Sequence, residues 1–169
     1  RGALPGSDEE SASAAHHHGR PAVSAESFTW AHPPAFRMTP LDIKALADEY
    51  FLCGINQIIA HGWPYSPPQA RFPGWTFYAT IALGDRNPWW FVMPEVAAYI
   101  QRSSFLLRQG EPANDVALYL PTEDAYARFR AGQTFSRSDE YAVALSVQLG
   151  PLLSNGVLPK LLAGGYNYD

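Results

Sequence analysis

An α/β fold built from a parallel strand, a crossover helix and a second parallel strand is predicted by three stretches of this sequence. The first is the short apolar segment Ala22–Ala25, preceded by Gly19 and Pro21 and running into an isolated acid, Glu26. The second is a helix over Thr39–Leu52, and the third is a new apolar run, Ile55–Ala60, that opens after Gly54 and ends at His61. A connection of this length suits a right-handed parallel crossover. In barrels of alternating strands and helices the C-terminal ends of strands line the pocket, which puts Glu26 and His61 on one rim. The plainer reading of Glu26 is a surface acid after a turn, or one half of a structural ion pair.

Taken in order, Arg1–Ser13 carries Gly, Pro, Ser and the acidic Asp8-Glu9-Glu10 cluster, and reads as an exposed loop passing into a short helix that ends near His18. Three consecutive histidines, His16-His17-His18, look like a metal tract or a tag. On a helix they point in different directions and cannot share one ion, and a helix end explains them more simply. The next loop, Ala31–Met38, holds the pair Pro33-Pro34, which forbids helix, and His32, Phe36 and neighbouring Trp30 are within reach of a ligand. Thr39 then caps a helix, Pro40 suits its first position and Asp42 closes a capping box, while Ile43, Leu46, Ala47, Tyr50 and Phe51 fall on one apolar stripe.

After Ile55–Ala60 comes an aromatic loop with Trp63, Tyr65 and Trp75 set among prolines. Such side chains suit stacking on a sugar, or packing under a loop. His61 is open to three readings: a ligand-binding donor, a metal ligand or a satisfied core histidine. A helix from about Pro94 to Gln109 presents Val96, Tyr99, Ile100, Ser103, Leu106 and Leu107 on one face. Glu111–Asn114 reads as a linker, so the domains divide as 1–110 and 115–169. Asp115–Pro121 reads as a fresh strand and Ser138–Leu149 as a helix, and Leu161–Asp169 is expected to stop on a turn without closing elements. The chain reads as cut at both ends.

Composition narrows the partners. The chain has 169 residues, 47% hydrophobic and 17% charged, which suits a packed core. Its net charge is −4 and its 12 Lys and Arg residues form no run, so neither nucleic acid nor an anionic membrane is an expected partner. Aromatics make up 14% of the chain, and their placement in loops favours a neutral, stackable ligand such as a carbohydrate. The single cysteine, Cys53, forms no disulfide framework within the chain and reads as a small buried residue. No run of 18 apolar residues occurs, and the first residues do not have the pattern of a signal peptide. The compartment stays open, periplasmic or secreted if the full-length protein is exported.

Several of these stretches resemble one family. Val23–Trp30, then Gly54–Pro67, then Asn87-Pro88-Trp89-Trp90 and Tyr99-Ile100-Gln101-Arg102 are similar, in order, to the glycoside hydrolase family 106 α-L-rhamnosidases. The resemblance implies a large enzyme with a (β/α)8 TIM barrel, inverting hydrolysis of terminal α-L-rhamnosides of plant polysaccharides or glycosides, and calcium in the active site. This chain would then supply the last third of the barrel, with Glu26 on the seventh strand and His61 after the eighth, followed by the start of a flavodoxin-like unit. Glu26 would be the general base, His61 a donor to a sugar hydroxyl, and Trp30, Trp63, Tyr65 and Trp75 the stacking residues. The general acid and the calcium ligands would lie elsewhere, on the remainder of the same polypeptide. The alternative is a carbohydrate-binding or structural fragment with no activity of its own.

Overall fold

The computed structural model describes residues 7–30, 36–119, 123, 127 and 156–169. The expected helix at Ser138–Leu149 and the loop residues 31–35, His32 included, lie outside these. The chain divides into two compact units, Arg1–Pro112 and Ala113–Asp169.

The first unit begins with helix α1, Ser7–His17. It starts earlier than the expected loop allows, because Ala12, Ala14 and Ala15 are strong helix formers. His16 and His17 fall in its last turn. Strand β1 (Ser24–Ser27), helix α2 (Pro40–Leu52) and strand β2 (Gln57–Ala60) follow, and the two strands pair in parallel. β1 therefore lies two residues later than Ala22–Ala25, and Glu26 sits inside the strand instead of after it. The cause is Asn56, which is buried: its Oδ1 accepts from the backbone N–H of Val23 at 2.9 Å, and its Nδ2 donates to the carbonyl of Pro21 at 2.9 Å. Both polar groups at the entry to β1 are thus held by a side chain, and the regular ladder starts at Ser24↔Gln57. Ile55 and Asn56 also drop out of the predicted second strand and become buried lead-in.

α2 has the cap its sequence promises. The hydroxyl of Thr39 accepts from the N–H of Asp42 at 3.3 Å, and the Asp42 carboxylate accepts from the N–H of Thr39 at 2.8 Å. Ile43 and Ala47 are fully buried against Phe28, Met38, Ile81 and Leu83. Burying an isoleucine of this kind contributes about 1.5–3 kcal/mol. α2 ends at Cys53, which is half-buried rather than buried, and Gly54 follows at φ +84°. A Cβ on Gly54 would stand 2.7 Å from that of Ala12, so α1 approaches closest where no side chain intervenes.

A 3-10 turn, Trp90–Val92, leads into helix α3, Met93–Leu107. Val96 and Ile100 pack on the core that Ile43 anchors. Leu106 and Leu107, expected on the same buried face, are exposed, since no described residue covers the end of that stripe. α3 is tied to α2 by one polar cluster. The Tyr99 hydroxyl donates to Asp48 Oδ1, Lys44 donates to Asp48 Oδ2 at 2.6 Å, and the Lys44 ammonium lies 4.5 Å from the centre of the Tyr99 ring.

The second unit contains a short helix α4, Leu158–Ala163, with Leu158 buried. Val116 forms a parallel bridge with Tyr168, flanked by Leu118 N–H to Asp169 O at 2.6 Å and Asp169 N–H to Val116 O at 2.9 Å. The last residues thus pair with 116–118 instead of stopping on a turn, because the turn at Gly164 and Gly165 returns them to that segment.

Candidate active site

The site is built on the two adjacent strand ends. Side chains alternate across a sheet, so Ala25 and Ile58 face the helices and pack there, whereas Ser24, Glu26, Gln57 and Ile59 share the opposite, exposed face. Glu26 is paired in register with Ile59, and the position two residues on from Ile59 is His61. Ser27 and Phe28 close β1 from below. Phe28 is buried at φ +66°, a backbone state that costs a non-glycine residue about 1–2 kcal/mol and is offset here by burial of the ring. That turn sends Thr29 and Trp30 outward. The Thr29 hydroxyl donates to Glu26 Oε1 at 2.6 Å, and among the described residues no Lys or Arg pairs with the carboxylate.

The backbone N–H of His61 donates to Ser27 O at 2.7 Å, continuing the ladder one step past β2. The His61-Gly62 peptide bond is cis. His61 Nδ1 lies 2.7 Å from the carbonyl oxygen of Ala79, and its ring meets the edge of Phe77 with centroids 5.3 Å apart. Thr80 pins the next residue: its hydroxyl donates to Gly62 O at 3.0 Å and accepts from Gly62 N–H at 2.6 Å. Together His61, Gly62, Trp63, Pro64, Phe77 and Thr80 line a cleft of about 370 Å³.

Of the residues singled out in the sequence, the structure brings His61 and Trp63 into this cleft. Trp63 is held edge-on to Trp90, with ring centroids 5.2 Å apart. Glu26 is on the neighbouring strand end and is not among the residues lining the cleft. Trp30, Tyr65 and Trp75 do not line it either, and all three are exposed. Trp75 belongs to a separately braced loop. Its backbone N–H donates to Ser66 Oγ at 2.8 Å, and Arg86 spans the loop with donors to Ala70 O and Pro67 O, both at 3.1 Å. Gly74 fits there because a Cβ would stand 2.5 Å from Ser66 Oγ. Ala79 and Thr80 were not legible as site residues, since the run Thr76–Leu83 has no period that marks a strand or helix end. The only signal was a threonine inside an apolar run.

Away from the cleft, the carboxylates of Asp42 and Asp48 have shifted pKa values. Asp42 is held below the ordinary carboxylate range by the backbone N–H and then the hydroxyl of Thr39, and Asp48 by its bonds to Lys44 and then Tyr99. The pairing with Asp48 raises the pKa of Lys44.

Glu26 thus stands on the open face of the strand pair, and His61, Trp63 and Phe77 give the cleft after β2 its ring-lined walls. The family is defined by sequence: the model for the alpha-L-rhamnosidases of glycoside hydrolase family 106 matches residues 3–143, and the chain belongs to that family. A Formosa agariphila protein named as a beta-glucuronidase is 28% identical over 161 residues, covering 92% of this chain and 13% of that protein. The structure of a rhamnosidase from Novosphingobium sp. PP1Y is 30% identical, with a TM-score of 0.49, and the match covers 64% of this chain and 10% of that one. The chain thus spans about a tenth of the length of these relatives.

Proposed function

We propose that this chain is the closing part of the (β/α)8 catalytic barrel of an inverting α-L-rhamnosidase acting on plant rhamnosides, with β1 and β2 as the seventh and eighth strands. The residues from 115 onward would begin a flavodoxin-like domain. The observation that carries the reading is the placement of Glu26: the strand register puts it on the uncovered face, and its one hydrogen-bond partner among the described residues is a local hydroxyl. Oε2 is left for water. In an inverting reaction a carboxylate takes a proton from water attacking the anomeric carbon, while an acid on the other face, roughly 6.5–9.5 Å away, protonates the departing oxygen. Glu26 has the first role, and the acid belongs to the remainder of the polypeptide. Trp63 offers a face to the sugar ring from within the cleft, and Trp30, Tyr65 and Trp75 are exposed for contacts further along the substrate.

Apolar surface supports the need for that remainder. Leu52, Phe91 and Leu106 are exposed, and in a closed barrel neighbouring helices would cover such side chains. Calcium takes six to eight oxygen ligands, and the described residues assemble no group of three or more His, Cys, Asp or Glu. In the proposed enzyme the ligands of such an ion would come from the remainder of the polypeptide.

The test is Glu26→Gln in the complete polypeptide, assayed on an aryl α-L-rhamnoside. The expected loss in kcat is about 10²- to 10⁴-fold with little change in affinity, and NMR of the first product of the unaltered enzyme should show the inverted anomer. Turnover by the variant at the unaltered rate removes Glu26 from the base role. Tight rhamnoside binding without turnover in the unaltered protein would identify a binding module instead.

A further inference from the structure

The stretch Asn87-Pro88-Trp89-Trp90 has no part in the reaction proposed above, yet Asn87 is 2% exposed and its hydrogen bonds lead to the cleft by two routes. The first runs through its side chain. Nδ2 donates to Ala82 O at 3.2 Å, and the N–H of Ala82 in turn donates at 3.2 Å to the Thr80 hydroxyl oxygen, the same oxygen that clasps Gly62. The second runs through its backbone. The N–H of Asn87 donates to Gly84 O at 3.0 Å, and its carbonyl accepts from the N–H of Trp90 at 2.9 Å. Both of these partners adjoin Trp63: a Cβ on Gly84 would stand 3.9 Å from the Trp63 ring, and Trp90 meets that ring edge-on.

The side-chain bond falls where the backbone most needs holding. Ala82 is buried at φ +56°, a left-handed state that a Cβ disfavours. The reversal there lets Thr80, on one side of it, and Leu83, on the other, both reach Gly62: the Thr80 hydroxyl and the Leu83 N–H each donate to Gly62 O. If Ala82 relaxed, the two donors would turn away from each other. We propose that Asn87 is a positioning residue for the cleft: its Nδ2 holds Ala82 in the left-handed state and so keeps the clasp on Gly62 closed, while its backbone sets Gly84 and Trp90 about Trp63. Asn87 does not line the cleft and acts through these residues. The inference rests on the reading of the cleft as part of a rhamnoside site.

The test pairs two substitutions in the complete polypeptide. Asn87→Leu is close in size and, because Oδ1 has no partner among the described residues, removes only the bond to Ala82. It is expected to raise KM for 4-nitrophenyl α-L-rhamnoside about 3- to 10-fold with a smaller change in kcat. Adding Ala82→Gly should bring KM back to within about twofold of the unaltered enzyme, since glycine takes the left-handed state without a side chain to strain it. A lost packing contact would not be repaired in this way. Hydrogen–deuterium exchange should run about 3- to 10-fold faster in Asn87→Leu over residues 61–64 and 80–84, with α2 unchanged, and return in the double variant. If Asn87→Leu cannot be recovered folded, the double variant should be. An unchanged KM in Asn87→Leu, no rescue by Ala82→Gly, or exchange raised equally in α2 overturns the proposal. An unaltered enzyme that hydrolyses no rhamnoside refutes the functional reading alone; exchange then decides the role of Asn87, a local increase that Ala82→Gly reverses supporting it and any other pattern overturning it.

Discussion

The ends of β1 and β2 lie side by side, yet they are held in opposite ways. Glu26 is steadied by a residue three positions along the same strand end, on an exposed surface. His61 and Gly62 are fastened to residues 79–83, at least eighteen positions away, through Ala79 O, the Thr80 hydroxyl and the bond from Leu83 N–H to Gly62 O at 3.2 Å. Those anchors are buried: Ala79, Thr80, Ile81 and Leu83 are each at most 6% exposed. The difference separates two tasks. In the proposed enzyme the lightly tethered Glu26 would keep access to water, while His61 would be held in a rigid frame.

Substitutions can break or sharpen this contrast. The largest effect belongs to Glu26→Gln, with the rate loss given above and binding retained. Next is Thr80→Val in the complete protein, which strands a backbone N–H of Gly62 and is expected to cost about 1–3 kcal/mol in thermal or denaturant unfolding, with KM rising as His61 loosens. Thr80→Ser should restore both. A Thr80→Val protein with unchanged stability and KM would mean that the frame around His61 is not held from residue 80. A smaller effect is expected for Thr29→Val: a 3- to 10-fold drop in kcat, roughly the worth of one hydrogen bond, at nearly constant KM and stability. A stability loss there as large as that of Thr80→Val would erase the distinction between the two ends.

The smallest effect lies behind the strands, in the polar cluster joining α2 and α3. Because Asp48 has a lowered pKa in the folded chain, its contribution is present above the ordinary carboxylate value of about 3.9 and is lost as pH falls through the folded value. Asp48→Asn should therefore trail the unaltered protein slightly in thermal stability at pH 7, and the gap should close below about pH 4. A gap that persists or widens in acid would assign the effect to the shape of the side chain and not to its charge.

Much of the scaffold was legible because it is local. Thr39, Pro40 and Asp42 announce the start of α2, and the spacing of Ile43 and Ala47 names its buried face, since capping and amphipathicity act within a few residues. The phase of β1 was harder to read. Ala22–Ala25 looks like a strand by composition, but the ladder starts where Asn56, thirty-odd residues away, releases the backbone. The cleft was half legible for the same reason. His61 and Trp63 follow a strand in sequence, while Ala79 and Thr80 reach them only through tertiary contacts that no periodicity encodes. The stripe of α3 named a face, but a stripe does not say how far along the helix its cover extends, and Leu106 and Leu107 lie beyond it.

Asn56 has one more consequence, for anyone moving this unit between homologous enzymes. Strand side chains alternate, so a slip of a single residue in β1 would turn Glu26 toward the helices and bring Ala25 to the open face. The amide that ties down the entry to β1 is not in β1 but at the entrance to its neighbour, beside the backbone bond from Gln57 N–H to Val23 O at 2.9 Å. A cassette that keeps the Glu26 carboxylate in phase is therefore expected to run from Pro21 through at least Ala60, and an exchange of the Glu26 segment alone would leave its alignment to whatever the recipient carries at position 56.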